Sequence, residues 1–325
     1  MAYPYFCGET LDDVMRSVIE EIQSKGEWVR ASKGNCKELI GVLLELTNPR
    51  ARLSRTETRG KPFSCLGELC WYLAKTNRLD FIEYYIGAYK DSADGEIIFG
   101  GYGPRLFDWR NGIKQWENVA SLLNAKRSSR QAVIQLFDAE DILKPHKDIP
   151  CTCTLQFLIR GDRLHLLVNM RSNDAFLGLP HDIFAFTMLQ EIMARSLNAE
   201  LGIYKHAVGS FHLYEKDLDD AQRFLDEGWQ STDTAMPPMP KGDPWPSIVT
   251  LMKAENSIRT SGDSLCSEIF EQLDPYWADL VRLLKLFRLA KNNDNTVFEM
   301  VAARMYSAVY NAFIFKKLDG LRSRK

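Results

Sequence analysis

The sequence predicts a mixed α/β protein of the α+β type, followed by a helical C-terminal extension. Three observations carry this. Two β-rich runs, Thr154–Ile159 and Leu164–Met170, flank Arg160-Gly161-Asp162-Arg163, a hairpin signal. A helical run, Asp182–Leu197, leads into a further strand-like run, Ile203–Tyr214. Beyond the segment Met236–Pro246, which holds five prolines and one glycine and can be neither helix nor central strand, only helical patterns remain.

Composition sets the frame. With 325 residues, Lys+Arg 41 against Asp+Glu 43 and a hydrophobic fraction of 45%, the chain has ample length for a buried core. Its net charge of −2 argues against a duplex nucleic-acid surface, which needs clustered excess Lys and Arg, but leaves room for a small phosphorylated ligand held by a few arginines. No apolar run has the length of a membrane span, and Met1–Thr10 has neither the basic start nor the apolar core of a signal peptide. Seven scattered cysteines without a secretory signal read as reduced thiols in a cytoplasmic protein.

In chain order, Thr10 can cap a helix on which Leu11, Val14, Met15, Val18, Ile19 and Ile22 recur at helical spacing. Cys36–Thr47 is apolar enough for a strand or a buried helix, and periodicity does not decide between them. Asn48–Lys61 reads as a basic loop opened by a proline. Leu66, Leu69, Cys70 and Leu73 mark a second helix, and the glycines and aspartates between Asp91 and Pro104 predict turns in a mobile surface segment. Ala132–Phe137 is a short strand. The apolar positions of Asp182–Leu197 wrap most of its circumference, so this helix should be buried on several sides. Ser247–Ser257, Leu265–Lys291 and Val297–Leu318 read as helices. The division expected is a core at residues 1–236, a connection at 237–246 and helices at 247–325 packed on the core or a dimer.

The chemistry concentrates in one stretch. Pro150-Cys151 stands at the mouth of the hairpin, Arg171-Ser172-Asn173-Asp174 ends its returning strand, and Gly178-Leu179-Pro180 starts the buried helix with Asp182 at its head. An arginine beside a hydroxyl suits a phosphate, because the guanidinium forks onto two oxygens and the hydroxyl adds a third bond. A cysteine near such a cation is favoured as thiolate and becomes a usable nucleophile, although a lone buried Cys is ordinarily inert. His146, His165, His181 and His206 have no zinc spacing and Cys151-x-Cys153 lacks a second ligand pair, so no metal is expected; His181 could line the pocket beside Asp182.

Taken together, these motifs resemble the thymidylate synthase family. The family's Pro-Cys with Gln-Phe five residues on is matched by Cys151, Gln156 and Phe157, and its Arg-Ser-x-Asp-x-x-Leu-Gly-x-Pro by Arg171, Ser172, Asp174, Leu177, Gly178 and Pro180. His212 and Tyr214 match its His-x-Tyr, Glu68, Leu69 and Trp71 its Glu-Leu-x-Trp, Tyr102 and Gly103 its Tyr-Gly, and Ser129 and Arg130 its Ser-Arg. The resemblance spans roughly residues 45–220.

It implies a thymidylate-synthase-like mixed sheet with packed helices, and a homodimer with Arg130 acting across the interface. It further implies that Cys151 attacks carbon 6 of a pyrimidine nucleoside monophosphate and that carbon 5 takes a one-carbon unit from 5,10-methylenetetrahydrofolate. Catalytic roles fall to Cys151, Glu68 and Tyr102. Phosphate contacts fall to Arg50 (or Arg52 in the same loop), Arg130, Arg171 and Ser172. Asn173, Asp182, His212 and Tyr214 would face base and sugar, and Asp174 the folate.

The departures from the family pattern point to a branch. Asp182 stands where methylating members carry Asn, Thr152 where they carry His, and Tyr85-Ile-Gly-Ala-Tyr89 where a tryptophan-containing segment would shield the cofactor. The C-terminus, Gly-Leu-Arg-Ser-Arg-Lys, is not a short apolar closing tail; Ser210 replaces an Asp, and Gln131 stands where a second Arg is frequent. Uracil presents an acceptor at O4 and a donor at N3, which a carboxamide complements; cytosine presents the reverse, which suits an acid. The chain therefore looks like the cytidylate (CMP or dCMP) 5-hydroxymethyltransferases of the family. Weighed beside this are a uridylate methylase, a catalytically lapsed nucleotide-binding relative, and a plain helix-capping role for Asp182.

Overall fold

A computed structural model describes residues 4–260 and 273–322. Thr10 closes a capping box with Asp13, donating its N–H to Asp13 Oδ2 at 2.9 Å and accepting from Asp13 N at 3.1 Å. The box starts α1 (Leu11–Lys25), whose six periodic apolar residues are all buried. Either side of α1 lie β1 (Tyr5–Gly8) and the hairpin of β2 (Glu27–Ala31) with β3 (Gly34–Leu46). Cys36–Thr47 is thus a strand. β2 was not legible, because none of its residues is buried and it shows no apolar face.

The basic loop that follows is mostly interior rather than surface. Arg52 is 0% exposed and donates from Nη2 to Glu191 Oε2 at 2.5 Å, while Arg59 lies over the Phe176 ring and donates to Leu177 O at 3.2 Å. Next come α2 (Pro62–Leu73), α3 (Leu79–Tyr85), α4 (Tyr102–Phe107) and α5 (Gln115–Ala125). α2 packs on both α3 and the later α6 (Leu179–Ser196), and it does so closely: a Cβ on Gly67 would come 2.2 Å from Tyr85 Cγ. The segment after α3 turns as expected, but Ile98 is fully buried and anchors it to the core.

The remaining strands are β4 (Val133–Gln135), β5 (Thr152–Arg160), β6 (Arg163–Asp174) and β7 (Glu200–Tyr214). The turn between β5 and β6 has Gly161 and Asp162 at φ 47 and 52, the left-handed pair of a tight hairpin. The seven strands form one mixed sheet in the order β1-β3-β7-β6-β5-β4, with β2 added on β3. β6 and β7 are parallel and joined through α6, nearly every residue of which is buried. That helix begins at Leu179, three residues earlier than the sequence indicates, because Pro180 fits the first turn. α7 (Leu218–Asp226) closes this part.

The proline-rich segment is stitched to the core. Met239 N donates to Glu191 Oε1 at 2.9 Å and Met239 O accepts from Arg195 Nε at 2.9 Å. Helices follow at Trp245–Thr260, Pro275–Lys291, Asn295–Ala302 and Asn311–Arg322, and one hydrophobic cluster runs through them and the sheet-facing helices. The start of the expected helix Leu265–Lys291 lies outside the described residues. The expected Val297–Leu318 helix is broken in two, since Asp279 takes the N–H groups of Tyr306 and Ser307 at 3.0 and 2.8 Å and Ser307 Oγ caps Val309 N. Among the described residues no helix is long and apolar enough to cross a membrane.

Arg52→Met leaves Glu191 as an uncompensated buried charge. The expected loss is about 3–5 kcal/mol of stability, read as a lower urea midpoint with an unchanged m-value.

Candidate active site

The site forms where the ends of three strands meet the starts of two helices. Cys151 immediately precedes β5. The register of β6 on β7 sets Ser172 beside Ser210, Asn173 beside Phe211 and Asp174 beside His212. The first turn of α6 delivers His181 and Asp182, α2 delivers Glu68, and Tyr102 opens α4.

Arg171 braces the cysteine. Its backbone N–H donates to Cys151 O at 2.8 Å, its Nε to Pro150 O at 3.0 Å and its Nη2 to Ile149 O at 2.9 Å, with Cys151 Sγ 3.7 Å from Nη2. Burial pushes the thiol up to about 11 against the pull of Arg171; Asp148 and Asp182 add to the rise, and Lys33 opposes it. Lys33 sits in the turn between β2 and β3 and bears on Asp148 as well, which sets that turn against the site. This basic turn was not legible in the sequence because β2, which leads into it, shows no apolar face.

Glu68 is the hub of a second cluster. Its Oε1 accepts from Tyr72 Oη at 3.1 Å and Tyr89 Oη at 2.5 Å, and its Oε2 lies 2.8 Å from His181 Nδ1. Burial alone would raise this carboxyl, but the bonds from His181, Tyr89 and Tyr72 hold it below the usual glutamate range. For His181 burial works against the charged ring, and Cys65 with Glu68 outweighs it, taking the imidazole up to about 10. His181 Nε2 also lies 3.4 Å from Ser64 Oγ.

Asp182 makes a third cluster. It does not cap α6: its own N–H bonds Gly178 O at 3.0 Å within the helix, and its Oδ2 accepts from Asn173 Nδ2 at 2.7 Å. Burial, then the nearby charge of Glu68, raises it to about 8, with Asn173 and His181 opposing. Behind Asn173 stand His206 and Tyr204 on β7; Asn173 Oδ1 is 3.1 Å from His206 Nε2, and His206 Nδ1 is 2.7 Å from Tyr204 Oη. Both are polar residues in the inward phase of a strand, a signal that alternation along β7 carried. Tyr102 joins the clusters: its Oη accepts from Thr152 N at 3.1 Å and Thr152 Oγ1 at 2.9 Å, and Cys151 and Asp182 both bear on it electrostatically.

The structure thus brings together Cys151, Arg171, Glu68, Tyr102, Asn173 and Asp182. His212, buried, meets Tyr214 edge-on at 4.9 Å. Asp174 Oδ1 accepts from Phe176 N and Leu177 N, each at 2.8 Å. Arg130 is exposed at the head of β4, and among the described residues its guanidinium has no hydrogen bond or ion pair. Of the two loop arginines offered for phosphate, Arg52 is corrected to a buried structural partner of Glu191; Arg50 is half-buried, its backbone tied to Asn48 and Met236.

A family profile described as "Thymidylate synthase" matches residues 11–237. The chain belongs to the thymidylate synthase family. It is 30% identical over 224 residues to the deoxyuridylate hydroxymethyltransferase of Bacillus phage SP01, covering 64% of this chain and 56% of that one. To the deoxyuridylate hydroxymethyltransferase of Pseudomonas phage M6 it is 31% identical over 176 residues, 52% of this chain and 49% of that one. The thymidylate synthase of Buchnera aphidicola (subsp. Baizongia pistaciae) is 28% identical over 162 residues, 48% of this chain and 61% of that one. The matches therefore span about half of these relatives' length.

Four of the departures from the thymidylate synthase pattern have a bonded partner. Thr152 donates to Tyr102, Asp182 accepts from Asn173, and Tyr89, at the end of the segment that lacks tryptophan, donates to Glu68. Ser210 donates to the carboxylate of Glu38 on the neighbouring β3, so an acid is still supplied there.

Two outcomes follow from these shifts. Alkylation of Cys151 by iodoacetamide should quicken about tenfold per pH unit until near its raised pKa, and Arg171→Gln should slow it throughout the range below that pKa. Folded Asp182 keeps its proton to about 8 and folded His181 to about 10, whereas unfolded groups lose theirs near 3.8 and 6.5. Unfolding then releases protons, so thermal stability should fall as pH rises from about 5 to 10, and His181→Phe should flatten the upper part of that decline.

Proposed function

We propose that this chain is a folate-dependent 5-hydroxymethyltransferase of a cytosine nucleoside monophosphate, CMP or dCMP. The observation that carries the reading is Asp182, placed inside the helix and bonded to Asn173 rather than spent as a cap. A neutral acid there accepts from the cytosine amino group through one oxygen and donates to ring N3 through the other. Cys151, once deprotonated, adds to carbon 6, which makes carbon 5 nucleophilic. Glu68, kept ionised by His181, is the base for proton exchange with water at the ring, and the hydroxyl of Tyr89 beside it offers a polar wall where a methylating enzyme excludes water. Arg171 with Ser172, Arg50 and the second subunit's copy of Arg130 hold the phosphate; His212 and Tyr214 hold the sugar.

The residues present fit a reduced folate. Asp174 is a half-buried carboxylate whose Oδ1 is held by two N–H groups, while among the described residues Oδ2 accepts no hydrogen bond, which suits the donor edge of a pterin; exposed Leu177 adds apolar surface next to it. Methylenetetrahydrofolate would supply the one-carbon unit that carbon 5 takes. A second copy of the chain fits the uncovered face of the sheet, on which Leu158, Leu167, Ile203 and Ala207 stand half-buried.

Deoxyuridylate is the second reading of the substrate, favoured by the names of the two phage relatives. The same neutral Asp182 could donate to uracil O4, so the two readings differ in the direction of its hydrogen bonds, not in the rest of the machinery.

Release of tritium from carbon 5 of labelled CMP, dCMP and dUMP, with and without methylenetetrahydrofolate, separates them: exchange confined to cytidylates is expected, and exchange confined to dUMP selects the second reading. Cys151→Ser should abolish release while nucleotide still binds, and Asp182→Asn should move preference toward uridylate by at least about tenfold. Mixing inactive Cys151→Ser with inactive Arg130→Ala should restore about a quarter of the activity through hybrid dimers; no recovery would remove Arg130 from the partner's site.

A further inference from the structure

The polar chain behind Asp182 runs further into the protein than the reacting groups do. Its four members lie on β7, β6 and α6 as Tyr204 Oη–His206 Nδ1 at 2.7 Å, His206 Nε2–Asn173 Oδ1 at 3.1 Å and Asn173 Nδ2–Asp182 Oδ2 at 2.7 Å. Tyr204 is 1% exposed, His206 0% and Asn173 4%, so water does not stand in for any link. Burial holds His206 down to about 3, and the ring is therefore neutral with a single proton.

The direction of the chain is set from its inner end. Among the described residues the Tyr204 hydroxyl has no hydrogen-bond partner other than His206. Its proton has one place to go, His206 Nδ1, and the imidazole proton then sits on Nε2. Nε2–H donates to Asn173 Oδ1, which turns the amide so that Nδ2 donates to Asp182 Oδ2. Reversing every link would strand the tyrosine proton in the core, an unfavourable arrangement. Asp182 Oδ2 is thereby held as an acceptor, and any proton on the carboxyl belongs to Oδ1.

We propose that Tyr204 and His206 are positioning residues that fix the hydrogen-bonding polarity of Asp182 and so set the choice between cytosine and uracil. They act through Asn173 and lie behind the groups that meet the base. The inference rests on the function proposed above, because it takes Asp182 to read the ring edge. With the chain intact, the carboxyl offers one pattern of donor and acceptor; with the inner link removed, the amide and carboxyl can turn over and offer both.

The test measures kcat and KM for tritium release from CMP, dCMP and dUMP with the full-length enzyme and the variants Tyr204→Phe, His206→Phe and His206→Gln. Tyr204→Phe removes one oxygen and should leave the melting temperature nearly unchanged. Its ratio of kcat/KM between preferred and disfavoured base should shrink about three- to tenfold, the range that one buried hydrogen bond spans, with a smaller change in kcat on the preferred base. His206→Phe should shrink the ratio further, and His206→Gln, whose Nε2–H can still donate to Asn173, should restore part of it. An unchanged ratio in Tyr204→Phe, or an equal loss on both bases, overturns the proposal even if His206→Phe does not fold. Calorimetric Kd values for CMP and UMP provide the same ratio without turnover. Selectivity that disappears in Tyr204→Phe while the wild type turns over no pyrimidine nucleotide would sink the hydroxymethylation reading and leave the positioning role standing.

Discussion

Two carboxyl groups lie near one another on α2 and α6, and the imidazole of His181 is bonded to only one of them. Glu68 and Asp182 are close enough for the charge of the first to raise the pKa of the second, and His181 stands against Glu68 at 2.8 Å. Ionising both acids side by side is unfavourable, so the proton is held more tightly by Asp182, raised to about 8, than by Glu68, which the bonds from His181, Tyr89 and Tyr72 hold below the usual range. Glu68 remains an ionised acceptor of two tyrosine hydroxyls, and Asp182 becomes a group that can donate as well as accept. This division of one proton between two acids is the constraint on which the function proposed for Asp182 depends.

The scaffold exists largely to hold that division in place. α6 is buried along nearly its whole length, and its first turn is fixed by Pro180 and by the parallel pair of strands on which it lies. α2 is pressed against α3 at Gly67, a contact with no room for a side chain, and this brings the tyrosine-bearing segment within reach of Glu68. On the other side Arg171 ties the cysteine turn to the end of β6 through three hydrogen bonds to carbonyls at 149–151. Cys151 therefore sits on a braced turn, with a thiol that burial pushes up to about 11.

The C-terminal helices take part in this arrangement. Tyr85, adjoining α2, donates to Glu255 at 2.8 Å, and Glu191 on α6 connects the buried Arg52 with the proline-rich connection at Met239. Such links couple the helix that carries Asp182 to segments far away in the chain, and the hydrophobic cluster common to both parts reinforces them.

Local signals settled much of the design. The helix cap at Thr10, the hairpin signal at Arg160-Gly161-Asp162-Arg163 and the short motifs around Glu68, Cys151 and Arg171 each rest on neighbours a few residues apart, and the sequence reads them directly. Long-range packing settled the rest. The Glu68–His181 bond joins residues 113 apart and the Arg52–Glu191 pair residues 139 apart, distances over which no periodicity carries information. The sequence named Asp182 and offered Arg50 or Arg52 of the basic loop for a phosphate. Only the folded chain decided which acid holds its proton more tightly, which arginine is buried, and which way the hydrogen bonds behind Asp182 run, because each depends on how far burial removes a group from water and on which partner arrives beside it.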